Sequence, residues 1–219
     1  MGIQAELKQV SAYLLEKLKK HPEFADVFFY AELLPESEHW QKYPVDSTNL
    51  SEVEDYEDFI NWVPETLQKL KAEKPEEFEQ MKADIPQMIA EGIILPLDLD
   101  KTWRQIHFIL TGYDDSVRPT FLIGKNDEDC LPAINAVLGG SEIEYYTGYG
   151  LLRYLTTDEV KRVAEALSRF SQAMIQERLK FRGLPEDMFD YLFDYTYNPM
   201  VQYYQGAAEK GNAMFLYLC

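Results

Sequence analysis

Leu152-Arg153-Tyr154-Leu155-Thr156-Thr157-Asp158-Glu159-Val160-Lys161-Arg162-Val163 changes its period part-way along. The first four residues read as a short alternating strand. Thr156 then supplies an N-cap hydroxyl, and Glu159, three residues on, completes a capping box. Beyond it Val160, Val163, Ala164 and Leu167 fall on one helical stripe. The same plan recurs near the start, where Leu7-Lys8-Gln9-Val10-Ser11-Ala12-Tyr13-Leu14-Leu15-Glu16-Lys17-Leu18 reads as strand, hydroxyl and helix.

Outward from this unit lie further strand candidates. Arg104-Gln105-Ile106-His107-Phe108-Ile109-Leu110-Thr111 is rich in strand formers and stops at Gly112. Tyr145 to Tyr154 is aromatic and broken by Gly148 and Gly150. A last helix runs from about Pro185 through Asp187, Tyr191 and Tyr195, and Asn198-Pro199 bends or interrupts it. It resumes to Lys210 and closes on Gly211-Asn212. Ala213 to Leu218 then reads as a buried terminal strand, expected beside Ile106 to Leu110. Together these predict a helix-rich α+β fold, with a small sheet holding N- and C-terminal strands.

The middle of the chain follows a different rule. Pro64-Glu65-Thr66-Leu67-Gln68-Lys69-Leu70 lines up with Pro75-Glu76-Glu77-Phe78-Glu79-Gln80-Met81, and a weaker copy starts at Pro86. Proline suits the first helical turn, where its missing N–H costs nothing, and it is excluded from central strands. Residues 36–91 are therefore expected to be a helical insertion within one domain spanning 1–219, built from short helices each opened by proline. The segment 23–91 is also the acidic part: 18 Asp and Glu against five Lys, net −13 out of −17 for the chain.

That charge restricts the partners. A body at −17 repels phosphate backbones and anionic lipid headgroups, which argues against nucleic acid and membrane surfaces. It raises the on-rate for a basic protein instead, as in an antidote that neutralises a basic toxin. With 219 residues, 46% of them hydrophobic, the chain can bury a substantial core. Cys130 and Cys219 form no disulfide or zinc pattern, and the charge at Glu6 comes too early for a signal sequence. The longest uncharged run, Tyr195 to Ala208, is too short and polar to span a bilayer. A cytoplasmic location is expected. No cofactor or metal is expected, and the oligomeric state is left open.

Four stretches carry a resemblance. They are Leu97-Asp98-Leu99-Asp100-Lys101-Thr102-Trp103-Arg104-Gln105-Ile106-His107-Phe108-Ile109-Leu110-Thr111-Gly112, then Ala136-Val137-Leu138-Gly139-Gly140, then Gly148 to Leu155, then Glu209-Lys210-Gly211-Asn212-Ala213. The sequence resembles the YfbM-like family, domain-of-unknown-function family 1877, over the N-terminal strand and most of 93–219. The resemblance implies a small α+β bacterial domain and no established activity, cofactor or catalytic residue.

The residues must therefore be weighed singly. Asp98 and Asp100 can hold a divalent cation or can cap the amides that follow them. His107, with an ordinary pKa near 6.5, is a candidate general base or a core histidine. With Asp98, Asp100 or Arg153 it defines a possible cleft for a small-ligand or hydrolytic enzyme. Asp127-Glu128-Asp129 lacks calcium-loop spacing and reads as a solvated turn. The tyrosines crowd the second half, and Tyr191 with Tyr195 is expected to pack into the core with hydroxyls outward. Trp103, Tyr149 and Tyr154 are the candidate aromatic contacts of a partner, and Glu54, Asp55, Glu57 and Asp58 the candidate acidic ones. The favoured function is a non-enzymatic acidic interaction module.

Overall fold

The computed structural model describes residues 2–117, 119–182 and 187–219. The chain forms two compact units: residues up to Ala12 together with Pro96–Cys219, and Tyr13–Leu95. After the first strand, β1 (Ala5–Ser11), come six helices of the second unit: α1 (Ala12–Lys20), α2 (Ala25–Phe29), α3 (His39–Lys42), α4 (Leu50–Glu73), α5 (Pro75–Met81) and α6 (Ile85–Gly92). Residues 36–91 contain helix and turn and no strand, and the compact unit that holds them begins well before residue 36. α4 and α6 pack on α2, and Leu14, Leu18, Phe24, Phe28, Val63, Leu70, Met81 and Met88 are buried. Gly92 allows the close approach of α6: a Cβ there would lie 2.2 Å from the Phe28 carbonyl oxygen.

The prolines divide. Pro75 and Pro86 stand in the first turns of α5 and α6, as expected, but Pro64 lies inside the unbroken α4. Apolar residues on both sides of Pro64, with Val63 and Leu70 fully buried, hold the helix together across the missing N–H.

The other unit continues with β2 (Leu97–Asp98), α7 (Trp103–Thr111), β3 (Ile123–Lys125), β4 (Pro132–Ile134), β5 (Ser141–Thr147), β6 (Gly150–Leu155), α8 (Thr157–Arg169), α9 (Gln172–Arg182), α10 (Asp187–Leu192), α11 (Asn198–Lys210) and β7 (Asn212–Leu218). The fold is α+β and helix-rich. Its main sheet is antiparallel with order β2-β1-β7-β6-β5, and β3-β4 form a separate pair. β7 runs in register with β1 from Ala5↔Leu218 to Ser11↔Asn212. α8 and α11 pack on β7, joining Val160, Val163, Leu167, Met200, Tyr204, Met214 and Leu216 in one core.

The strand-to-helix plan at 152–167 is present in full. The Thr156 hydroxyl accepts from the Glu159 N–H at 3.4 Å, and the Glu159 carboxylate accepts from the Thr156 N–H at 2.8 Å. Two expectations are corrected. Trp103–Thr111 is a helix, not a strand, and Gly112 at φ 76 is its left-handed C-cap. The terminal strand therefore lies between β1 and β6, not beside Ile106–Leu110. Trp103, Ile106, His107 and Leu110 recur at helical spacing and are all buried, and that face outweighs the strand propensity of the β-branched residues. The interruption expected near Pro199 falls just before it, as a π-helical turn over Phe193–Tyr197. Pro185 lies outside the described residues.

Candidate functional site

α4 is the longest helix described, and its start is fixed locally. The Asn49 side chain accepts from the Ser51 N–H at 3.2 Å, and Glu52 accepts from the Asp46 N–H at 3.0 Å and from the Asn49 amide at 2.8 Å. From there Val53, Tyr56, Ile60, Val63, Leu67 and Leu70 recur every three or four residues. Burial deepens along this stripe: only Val63 and Leu70 are fully covered. The first half, Leu50 to Trp62, has five carboxylates and no base. Glu54, Asp55, Glu57 and Asp58 are all exposed there, beside Leu50 at 78%, Phe59 at 39% and Trp62 at 40%.

Beyond Trp62 the same helix borders a groove of about 600 Å³. Glu65, Lys69 and Glu73 line it from α4, and Glu23 and Asp26 from the segment that opens α2. The Tyr30 ring stacks on the Trp62 indole at 4.6 Å and fixes its plane. Burial and the Asp26 charge push the Tyr30 hydroxyl above its ordinary pKa, so it stays neutral at pH 7. The Lys74 ammonium stands 3.9 Å from Glu23. A second polar anchor of the unit is Asp84, which accepts from the Tyr13 hydroxyl at 2.7 Å and pairs with Lys17 at 2.8 Å.

His107, fully buried, lines no open cleft with Asp98, Asp100 or Arg153. His107 is fully buried in α7 among apolar neighbours. Asp98 is exposed at the end of β2, and Asp100 is exposed at the start of the 3-10 turn before α7. Asp98 accepts from the Asp100 N–H at 2.6 Å, which is the capping role, and Asp100 accepts from the Gln4 amide at 3.3 Å. Arg153 on β6 binds Glu142 at 2.8 Å and the Gly139 and Gly140 carbonyls at 3.2 and 3.3 Å. Trp103 is 3% exposed and donates to the Ile3 carbonyl at 2.9 Å, so it packs the core rather than facing a partner. Tyr149 is 52% exposed at the β5-β6 turn, and Tyr154 is half-buried on β6. The Tyr191 and Tyr195 rings are solvent-exposed, not packed inward, and lie 5.3 Å apart. Among the described residues, no group of three or more His, Cys, Asp or Glu could hold a metal ion.

The family model described as domain of unknown function DUF1877 matches residues 1–217. The chain belongs to the DUF1877 family. A solved structure titled as a protein of unknown function, YfbM from Escherichia coli, is similar to this DUF1877 chain. It has 20% identity and a TM-score of 0.41, covering 67% of this chain and 94% of that one. No curated protein matches. The family match runs through the acidic helices as well as the sheet.

One group in this DUF1877 chain escaped the sequence analysis. Arg178 on α9 is fully buried, and its guanidinium donates to both Asp129 oxygens at 2.7 and 3.3 Å. It also donates to the carbonyls of Ile109 at 2.7 Å and Pro132 at 2.9 Å, and lies over the Phe170 ring at 5.5 Å. Asp129 is thus the partly buried partner of an ion pair with the fully buried Arg178, while Asp127 and Glu128 in the same turn stay exposed. Burial pushes the Asp129 carboxyl up, but Arg178 and the Leu131 N–H together hold it below the usual carboxylate range.

Proposed function

We propose that this chain is a non-enzymatic interaction module whose acidic helical unit binds a basic protein. The observation that supports it is the concentration of charge. Tyr13–Leu95 carries 19 Asp and Glu against eight Lys, and the first half of α4 displays Glu54, Asp55, Glu57 and Asp58 beside exposed apolar side chains. Such a face steers a cationic partner by long-range attraction, which screening weakens over about 8 Å at physiological salt. The burial of His107 among apolar side chains favours this over a hydrolytic role, since a general base must reach its substrate.

The test is capture from lysate at low and high salt with the native chain and with a variant carrying Glu54→Gln, Asp55→Asn, Glu57→Gln and Asp58→Asn. Basic proteins retained by the native chain should be released by salt and lost in the variant. The melting temperature should barely move, because exposed substitutions shift stability by at most about 0.5 kcal/mol. If no basic protein is retained, and a generic ester or phosphate substrate is turned over by the native chain but not by His107→Ala, the interaction role is wrong.

A further inference from the structure

The acidic face explains attraction but not grip. Exposed charges recruit a partner and set the on-rate, whereas a lasting contact needs a desolvated anchor. The groove beyond Trp62 has the shape for one. Its volume of about 600 Å³ falls within the range of small-ligand clefts, roughly 300–1,000 Å³. Four carboxylates line it, Glu23, Asp26, Glu65 and Glu73, against two ammoniums, Lys69 and Lys74. Its aromatic wall is Trp62, held in plane by Tyr30 and still 40% exposed.

Each class of occupant meets this lining differently. A phosphate or carboxylate ligand meets an excess of negative charge. A purely apolar ligand would strip water from the carboxylates without replacing their hydrogen bonds. A cation is favoured by the carboxylates and by the indole face together. Among protein cations the guanidinium fits best: it is planar, weakly hydrated, stacks on aromatic rings and presents paired N–H donors to carboxylates. We infer that this groove anchors an arginine side chain of the basic partner, stacked on Trp62 and bonded to the surrounding carboxylates. The inference rests on the interaction role above and adds the anchoring residue and the side chain it recognises.

Binding of octa-arginine, octa-lysine and the neutral isostere octa-citrulline to the full chain, by titration calorimetry at fixed ionic strength, tests it. The native chain should prefer octa-arginine to octa-lysine and ignore octa-citrulline. Trp62→Ala should weaken octa-arginine about 5- to 10-fold and octa-lysine less, in line with a partly desolvated cation–π contact. Glu65→Gln with Glu73→Gln, both on exposed positions of α4, should erode the same preference, and these carry the test should Trp62→Ala fail to fold. The four-site variant at Glu54, Asp55, Glu57 and Asp58 should weaken both cationic peptides equally and keep the arginine preference. The anchor is overturned if the groove variants bind octa-arginine as the native chain does. In that case the acidic role stands as long as the four-site variant still weakens binding. Failure of every form to bind either cationic peptide at low salt overturns both. Self-association that Trp62→Ala abolishes, seen by sedimentation without peptide, would give the groove to a second copy instead.

Discussion

Arg178 shows how much one side chain can fix. It joins α9 to the C-terminal half of α7 through Ile109 and to the 129–132 segment through Asp129 and Pro132. Breaking a buried ion pair leaves a charge without its partner, at a cost of about 3–5 kcal/mol. Asp129 keeps a 12% exposed edge, which places Arg178→Met near the lower end, about 3 kcal/mol, by urea denaturation. A double change to Arg178→Met with Asp129→Leu should recover part of that loss, since it removes the unpaired carboxylate while still leaving the Ile109 and Pro132 carbonyls and the Leu131 N–H without these partners. A cycle in which the double variant is no more stable than the single would mean that the carbonyl bonds, not the carboxylate, carry the energy. The position was hidden in sequence because nothing local distinguishes Arg178 from other helix arginines. Its partner lies 49 residues away, and only the fold brings them together.

The elements were legible where local chemistry alone decides them. The Thr156–Glu159 box, the αL cap at Gly211 and the strands at both ends are written in adjacent residues. Residues 104–111 have the composition of a strand, yet the three- and four-residue recurrence of the apolar face from Trp103 to Leu110 makes them a helix. In α4 the opposite holds: Pro64 suits the first turn of a helix, but the continuous apolar stripe through it carries the helix past it. The acidic face was legible from charge counting, but the groove was not, because Glu23 and Asp26 reach it from another helix. Pro64 still removes one helical hydrogen bond and crowds the preceding turn. Pro64→Ala should therefore raise the melting temperature of the helical unit, by up to about 3 kcal/mol of helix stability. Amide exchange at Ile60–Leu67 should slow with it. Unchanged exchange there would show that the neighbours already compensate in full.

Each unit carries a largely buried carboxylate whose ionised form folding favours, Asp84 in the helical unit and Asp129 in the sheet unit. Burial pushes Asp84 up, but Lys17 and the Tyr13 hydroxyl pull it further down, and Asp129 is held down in the same sense by Arg178. A carboxyl depressed in the folded state adds stability that is complete above its unfolded pKa, about 3.9, and is lost as pH falls through the folded value. Stability should therefore be flat from pH 7 to about 5 and decline below about 4 in both units. Asp84→Asn should flatten the acid limb for amides of 13–95 and Asp129→Asn for those of the sheet unit, read by residue-resolved hydrogen exchange. Equal flattening of both limbs by either variant would show that the units unfold as one.

The pairing of β1 with β7 also orders events in time. Synthesis delivers Ala5 about 200 residues before Leu218, which at roughly 5–20 residues per second is a wait of some tens of seconds. Throughout that interval the N-terminal strand has no long partner, since β2 supplies only two residues. The helical stretch 13–95, continuous in sequence, meets no such delay. Residues 13–95 are therefore fully synthesised while β1 still lacks β7, the central strand of the finished sheet, and their net negative charge keeps neighbouring nascent chains mutually repulsive over that interval.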